Sequence, residues 1–234
     1  MKKILSLLSI VVLISCGETN SQVVQNIKAE KFQQFSALND GIIIDVRTAA
    51  EFNSGHIKDA TNIDFYANDF TDKLKIVRKD VPIYVYCRSG GRSSSAAKKM
   101  EKLGFSEVYN MLGGIGSWNS KRFKTIQSKG EKVSKQPKFS VLEVEDILNS
   151  NETVLIDFST QWCVPCKKMK PIIYEINSEN NNVKVLFIDA DANKELVAKY
   201  KIQSVPVFIV FKNSEETFRK VGIVSKEELL ENLN

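Results

Sequence analysis

The sequence predicts an α/β protein made of two small domains. Its 234 residues suit one large domain or two small ones, and 43% apolar with 26% charged residues are typical of packed globular units. Runs of β-branched and aromatic residues alternate with helix-like segments twice along the chain, which is the pattern of α/β folds. Between the two alternating units, residues 123–137 have few apolar residues and no clear period, which predicts a linker.

The first unit is predicted over residues 27–122. Residues 42–46 and 82–87 are β-branched or aromatic runs, typical of buried parallel strands. Residues 93–104 predict a helix, because serines precede good helix formers and Gly104 stands where the helix would end.

The second unit is predicted over residues 138–234, and it does not repeat the first. The order of its elements is strand, helix, strand, helix, hairpin and helix. Strands are predicted at residues 153–160, 183–191, 206–212 and 216–222, and helices at residues 166–177, 194–202 and 225–233.

The N-terminus predicts export and a lipid anchor. A short cationic head precedes an apolar run at residues 4–14, which as a helix reaches only about half of a bilayer core, so residues 1–15 predict a signal peptide and not a membrane span. The run ends at Ser15 and Cys16, which resembles the bacterial lipobox, whose cysteine is acylated. The alternative is a plain secretory signal with an incidental Cys16, but a small residue directly before the cysteine favours a lipoprotein. We therefore expect residues 16–26 to be a tether to a bacterial membrane, with the protein facing the periplasm.

Charge and composition exclude several other classes. The net charge of +5 is spread along the chain with lysines interleaved among glutamates, and no basic stripe with aromatic residues indicates a nucleic-acid partner. Loss of residues 1–15 would leave 31 basic against 28 acidic side chains, so lipid and not charge would hold the protein at a membrane. Since His56 is the only histidine, a His-rich metal site is excluded. We expect no metal and no small-molecule cofactor.

Cys87 ends a predicted strand, where open α/β sheets place their ligand crevices. The loop after it leads to a helix predicted to begin at about Ser93, so backbone N–H groups and the helix N-terminus would favour a negative sulfur. The thiol should therefore have a pKa below its ordinary value of about 8.5 and act as a nucleophile near neutral pH. The predicted substrate-binding loop contributes two arginines, a serine and two glycines without obstructing Cβ atoms: Arg88, Ser89, Gly90, Gly91 and Arg92.

The loop spacing and two further motifs resemble the rhodanese family of sulfurtransferases. Four residues separate Cys87 from Arg92, whereas cysteine phosphatases and related arsenate reductases use five. Residues 45–63 ("DVRTAAEFNSGHIKDATNI") and 110–118 ("NMLGGIGSW") match the other motifs of the family in the right order.

This resemblance implies a parallel sheet flanked by helices, with Cys87 as the sulfur acceptor that carries a persulfide. The loop backbone would cradle the persulfide and Arg92 would help bind the donor anion. The family uses the positions of Asp45, Arg47 and His56 for structural support. The alternative is an inactive module kept for binding partners, but the presence of the cysteine favours activity.

Cys163 and Cys166 form a C-x-x-C motif directly after a predicted strand, at the start of a helix. A zinc site would need further Cys or His ligands, which the chain does not supply, so the motif predicts a redox dithiol. Cys163 should be the exposed thiol, with its charge stabilised by the helix dipole, and Cys166 the buried resolving thiol.

The last hundred residues resemble thioredoxin, which implies a mixed central sheet. Asp157 matches the buried acid that helps deprotonate the second cysteine, and Val205-Pro206 matches the loop whose proline is cis and faces the disulfide. Two departures leave the redox potential open: Val164 replaces a glycine, and Val185 stands where many thioredoxins pair a lysine with the buried acid. The other matching positions are Trp162, Pro165, Pro171 and Gly222.

Three functions follow from these resemblances. In the first, Cys87 takes sulfane sulfur from thiosulfate or a low-molecular-weight persulfide, and the dithiol reduces it to sulfide. In the second, the thioredoxin unit is a disulfide reductase for exported proteins and the sulfurtransferase is independent. In the third, the rhodanese-like unit docks partners. Both enzymatic functions imply a membrane thiol-electron donor, because the dithiol must be re-reduced outside the cytoplasm.

Overall fold

The computed structural model describes residues 23–127 and 137–234. The predicted signal peptide and Cys16 lie outside the described residues, as does most of the predicted linker. Each described segment folds around its own sheet with helices against it, which confirms the predicted class of two α/β domains. Within these segments, no helix is both long enough and apolar enough to cross a bilayer.

The first domain is built on five parallel strands. These are β1 (Val24–Ile27), β2 (Ile42–Asp45), β3 (Thr61–Asn62), β4 (Ile83–Tyr86) and β5 (Val108–Met111). Their order in the sheet is β1-β5-β4-β2-β3. All four residues of β4 are buried, because this strand lies at the centre of the sheet with apolar layers on both faces.

Helices cover both faces of this sheet. They are α1 (Ala29–Ser36), α2 (Ala49–Ser54), α3 (Phe70–Lys75), α4 (Gly91–Lys102) and α5 (Gly114–Ser120). Helix α4 begins two residues before the predicted start, because Gly90 adopts the left-handed conformation (φ 104°) that only glycine takes easily and so turns the chain into the helix. As a result, Arg92 lies in the first turn of α4.

Both predicted edges of the first domain differ from the structure. Residues 24–26, predicted as tether, belong to β1, where they pair with β5, so the domain begins earlier than residue 27. Residues 123–127, predicted as linker, return to the first domain: Trp118 Nε1 donates to the carbonyl of Lys124 (3.1 Å), and Ile126 forms a bridge with His56. These two contacts hold residues 123–127 on the first domain, although their polar composition predicted a linker.

The second domain has a mixed four-stranded sheet. Its strands are β6 (Thr153–Ser159), β7 (Val183–Asp189), β8 (Val207–Lys212) and β9 (Glu215–Val221), in the order β7-β6-β8-β9. Strands β6 and β7 are parallel, and β8 and β9 form the predicted antiparallel hairpin. Its helices are α6 (Val141–Ser150), α7 (Val164–Glu179), α8 (Lys194–Lys199) and α9 (Lys226–Leu233). Ser140 and Glu143 form a capping box that starts α6.

Candidate active sites

Cys87 lies directly after β4 with only 1% of its surface exposed. The backbone N–H of Gly90 donates to its Sγ at 3.1 Å, and the Ser93 hydroxyl lies 3.5 Å from the same sulfur. Burial by itself raises the pKa of the thiol, but hydrogen bonds from the Ser93 side chain and from the backbone of Ser93, Gly90 and Ser89 outweigh it, so the net pKa is lowered. The predicted direction of the shift is therefore confirmed.

A second glycine-rich segment supports this loop from behind. Ile115 N donates to the carbonyl of Cys87 (2.8 Å), and Gly116 N donates to the carbonyl of Arg88 (3.1 Å). Gly114 has φ +55°, and a Cβ there would lie 2.3 Å from the Cys87 carbonyl oxygen. The motif at residues 110–118 thus fixes the backbone of the cysteine loop, a role that the sequence motif alone did not show.

Arg92 is occupied by an acidic partner. Its guanidinium donates to both carboxylate oxygens of Glu51, each at 2.8 Å, and lies 5.6 Å from the ring centre of Tyr66. The hydrogen bonds from Arg92 lower the pKa of Glu51 to about 2. The role predicted for Arg92, binding a donor anion, therefore has to compete with an existing ion pair. Glu51 was missed, although Thr48-x-x-Glu51 is a capping-box pattern.

Three other residues of the predicted substrate-binding loop are exposed to solvent. Arg88 and Ser89 are exposed, and Gly91 is exposed with no atom within 4 Å of the place where a Cβ would be. A side chain at position 91 would therefore not obstruct the cradle, contrary to the expectation from sequence. Gly90 is the glycine that the loop geometry requires.

Asp45, Arg47 and His56 are buried next to this site and make structural contacts. Arg47 forms a buried ion pair with Asp45 (2.6 Å) and also donates to the carbonyl of Gly55 (2.7 Å). His56 stacks on Phe52 with 3.6 Å between ring centres, and its Nδ1 is 2.9 Å from the Phe52 carbonyl. Burial lowers the pKa of His56, which favours the neutral ring.

Cys163 and Cys166 are joined in a disulfide at the start of α7. Cys163 is the N-cap, and its Sγ accepts from the Cys166 N–H at 3.2 Å, while Pro165 lies in the first turn. Cys166 is 1% exposed, as expected. Cys163 is only 3% exposed, so the prediction of an exposed thiol is wrong. It lies in a buried cluster that also contains Ile76 of the first domain.

Two supporting residues lie near the disulfide. The Val205-Pro206 peptide bond is cis, which confirms the expectation from the thioredoxin resemblance. Trp162 packs against the buried cores of both domains, and its Nε1 donates to Asp191 at 2.6 Å.

Asp157 is 1% exposed in the middle of β6, and its Oδ1 accepts no hydrogen bond from any described residue. Burial raises its pKa to about 7, while the charge of Lys170 and a hydrogen bond from Ser159 act in the opposite direction. Lys170, on α7, thus supplies the charge near the buried acid that Val185 cannot supply. The sequence analysis did not identify Lys170, because the thioredoxin resemblance placed the expected lysine at Val185 on β7 and Lys170 lies on α7.

The described residues contain no group of three or more His, Cys, Asp or Glu side chains that could hold a metal ion. The fold and the two cysteine sites therefore define a protein with two sulfur centres, one a single thiol in a hydrogen-bonding cradle and the other a redox pair.

Comparison with known proteins assigns a family to each part. Residues 19–121 match the family described as rhodanese-like domain, and residues 135–234 match thioredoxin. Thioredoxin from Rickettsia bellii is 43% identical over 91 residues, which cover 38% of this chain and 87% of that protein. Thioredoxin from Buchnera aphidicola is 44% identical over 91 residues, covering 38% of this chain and 84% of that protein. A rhodanese-related protein from Thermoplasma volcanium aligns with a TM-score of 0.40 at 27% identity, over 44% of this chain and 99% of that one.

The chain belongs to the thioredoxin family through its second domain, and it carries a rhodanese-like domain before it. Together the two domains support sulfurtransferase and thiol–disulfide oxidoreductase activity in general.

Proposed function

We propose that the protein is an exported thiol enzyme in which Cys87 carries a persulfide and the dithiol of Cys163 and Cys166 reduces it to sulfide. The observation that carries this proposal is the pair of complementary sulfur centres in one chain. Cys87 is an unpaired thiol with a lowered pKa, and Cys163–Cys166 is a pair that can supply two electrons.

In the first half-reaction, the Cys87 thiolate attacks the outer sulfur of thiosulfate or of a low-molecular-weight persulfide. The sulfur–sulfur bond of the donor breaks, sulfite or a thiolate leaves, and Cys87 becomes a persulfide anion. The Gly90 N–H and the Ser93 hydroxyl, which already point at the Cys87 sulfur, stabilise the thiolate that attacks the donor.

In the second half-reaction, the Cys163 thiolate attacks the outer sulfur of the Cys87 persulfide and releases the Cys87 thiolate. Cys166 then attacks Cys163, so the pair becomes a disulfide and the transferred sulfur leaves as sulfide. Two electrons and two protons pass from the dithiol to one sulfane sulfur, which balances the reaction. Asp157, with its pKa near 7, is suited to accept the proton of Cys166.

The test is to load the reduced full-length protein with thiosulfate and measure both protein mass and sulfide. Wild type should gain one sulfur atom at Cys87 and release sulfide once per dithiol. Cys163→Ser should keep the added sulfur and release none within the same time. Equal sulfide release from wild type and Cys163→Ser would rule out the relay, and no mass gain at Cys87 would rule out the persulfide.

We also propose that Cys16 is acylated and holds the protein at a bacterial membrane, facing the periplasm. The lipobox-like sequence supports this, and a membrane thiol-electron donor would then return electrons to the dithiol. Labelling of cells with a radioactive fatty acid checks it: the label should enter wild type and be absent from Cys16→Ala.

A second candidate function is reduction of disulfides in exported proteins, with the rhodanese-like domain as an independent or docking module. The contact of Ile76 with the dithiol cluster favours a docking role. In this case Cys87→Ser should leave biological function intact, whereas the relay predicts its loss.

A further inference from the structure

The face of the second domain that carries the dithiol is occupied by the first domain. Ile76, the residue after α3, is 8% exposed and lies in the same buried cluster as Cys163 and Cys166. Its carbonyl accepts a hydrogen bond from the N–H of Val205 at 3.0 Å. Val205 belongs to the same buried cluster, so the backbone of the first domain is hydrogen-bonded to the part of the second domain that packs with the disulfide.

Two polar contacts fix the N-terminal end of α7 to the first domain. The N–H of Val164 donates to the Thr61 hydroxyl at 3.3 Å, which satisfies one of the free N–H groups at the start of the helix. Lys168, one turn further on, lies 3.5 Å from the carboxylate of Asp59. Both contacts lie in the first two turns of the helix that Cys163 caps.

A third contact joins the first domain to the end of β9. Gly222 follows β9 with φ +90°, and a Cβ there would lie 2.5 Å from Nη1 of Arg78. The arginine side chain therefore lies directly on the glycine. Three separate segments of the second domain, at Val164, Val205 and Gly222, thus contact the first domain.

We propose that the segment Ile76–Arg78 is a built-in occupant of the dithiol face and closes the Cys163–Cys166 pair to other proteins until the two domains separate. Thiol–disulfide exchange requires one sulfur to reach another, so its rate depends on access. In the docked arrangement Cys163 is 3% exposed and belongs to the same buried cluster as Ile76, so a protein disulfide would reach its sulfur only after the domains separate. This proposal requires only the dithiol chemistry of the second domain and no persulfide on Cys87.

The test compares Ile76→Glu with Leu38→Glu in the reduced full-length protein. Ile76 belongs to the apolar cluster of the second domain, so a charge there opposes docking, whereas Leu38 is 65% exposed on the first domain. The assay is insulin reduction driven by dithiothreitol, in which the dithiol gives two electrons to an insulin disulfide and dithiothreitol returns them. Ile76→Glu should raise this rate by about tenfold or more, because the open form becomes populated. Reduction of hydroxyethyl disulfide, which is small, should rise less. Equal insulin rates in the two variants would overturn the proposal.

Hydrogen exchange on the oxidised wild-type protein tests the contact without any substitution. The amides of Val164 and Val205 have acceptors in the first domain, so both should exchange slowly in wild type. In Ile76→Glu the same amides should exchange much faster. Exchange in wild type as fast as in an exposed loop would overturn the proposal, even if Ile76→Glu did not fold.

Discussion

Replacement of Asp157 by asparagine should make the second domain more stable and remove a specific pH dependence. The carboxyl group is 1% exposed, and burial raises its pKa from 3.8 to about 7. An acid whose pKa is higher in the folded state keeps its proton there after the unfolded chain has lost it. The free energy of unfolding therefore falls as pH rises from about 4 to 7, and the full penalty is present above pH 7.

The magnitude follows from the two pKa values. From pH 5 to pH 8, a shift from 3.8 to about 7 decreases the free energy of unfolding by about 2–3 kcal/mol. Asparagine has nearly the same shape and does not titrate, so Asp157→Asn should lack this decrease. The other titrating groups are the same in both proteins, so their contributions to the free energy of unfolding cancel in the difference between wild type and variant.

The assay is urea unfolding of the oxidised full-length protein at pH 5 and pH 8, followed by the fluorescence of Trp162. The chain has two tryptophans, so both proteins carry Trp118→Phe to restrict the signal to the second domain. The gain in stability from Asp157→Asn should be larger at pH 8 than at pH 5 by the stated amount. The same gain at both pH values would refute the view that burial holds the proton on this acid.

Three predictions concern the Cys87 site. Glu51→Gln should lower the KM for thiosulfate severalfold with little change in kcat, because Arg92 loses its ionic partner and becomes free to bind the donor. An unchanged KM would show that Arg92 does not contact the donor. Ser93→Ala should raise the pKa of Cys87, because a hydrogen-bond donor to the sulfur is lost, and the rate of alkylation by iodoacetamide should then rise at a higher pH than in wild type. An unshifted pH profile would contradict this. Gly114→Ala should lower the free energy of unfolding by roughly 1–3 kcal/mol, because the added Cβ clashes with the backbone of the cysteine loop. Gly91→Ala should change it little, because a Cβ there has no atom within 4 Å. Equal decreases in melting temperature for the two variants would contradict the clash.

Local sequence patterns predicted the positions of both sulfur centres. The strand before Cys87, the glycine turn after it and the placement of Cys163 at a helix start all depend on neighbours within a few residues. Such short-range features follow from propensity and spacing, so the sequence contains them directly.

The features that the sequence did not reveal depend on distant residues. Glu51 and Arg92 are 41 positions apart, and only the tertiary fold brings their side chains together. Lys170 faces Asp157 from a helix, although the resemblance placed the expected lysine on a strand. Cys163 shares its buried cluster with Ile76, which belongs to the other domain. No periodicity in the sequence encodes which surface of one domain meets another, so exposure was predicted as if each domain stood alone.

The domain contact also constrains the persulfide relay. Thr61, which bonds to the start of α7, pairs with Ile44, and Ile44 pairs with Val85. Strands lie about 4.8 Å apart and rise about 3.3 Å per residue, so the backbone of Cys87, two residues after Val85, is roughly 12 Å from that of Thr61. The Cys87 and Cys163 sulfurs also belong to different buried clusters. We therefore expect direct sulfur transfer to require a movement of the two domains relative to one another.

If the same opening limits both reactions, Ile76→Glu should accelerate sulfide release from the Cys87 persulfide as well as insulin reduction. Single-turnover sulfide release from thiosulfate-loaded protein measures the first rate, with Leu38→Glu as the control. Faster insulin reduction without faster sulfide release would show that opening does not deliver the dithiol to Cys87. The persulfide would then pass to an acceptor outside this chain, and the rhodanese-like domain would act on the dithiol only as its cover.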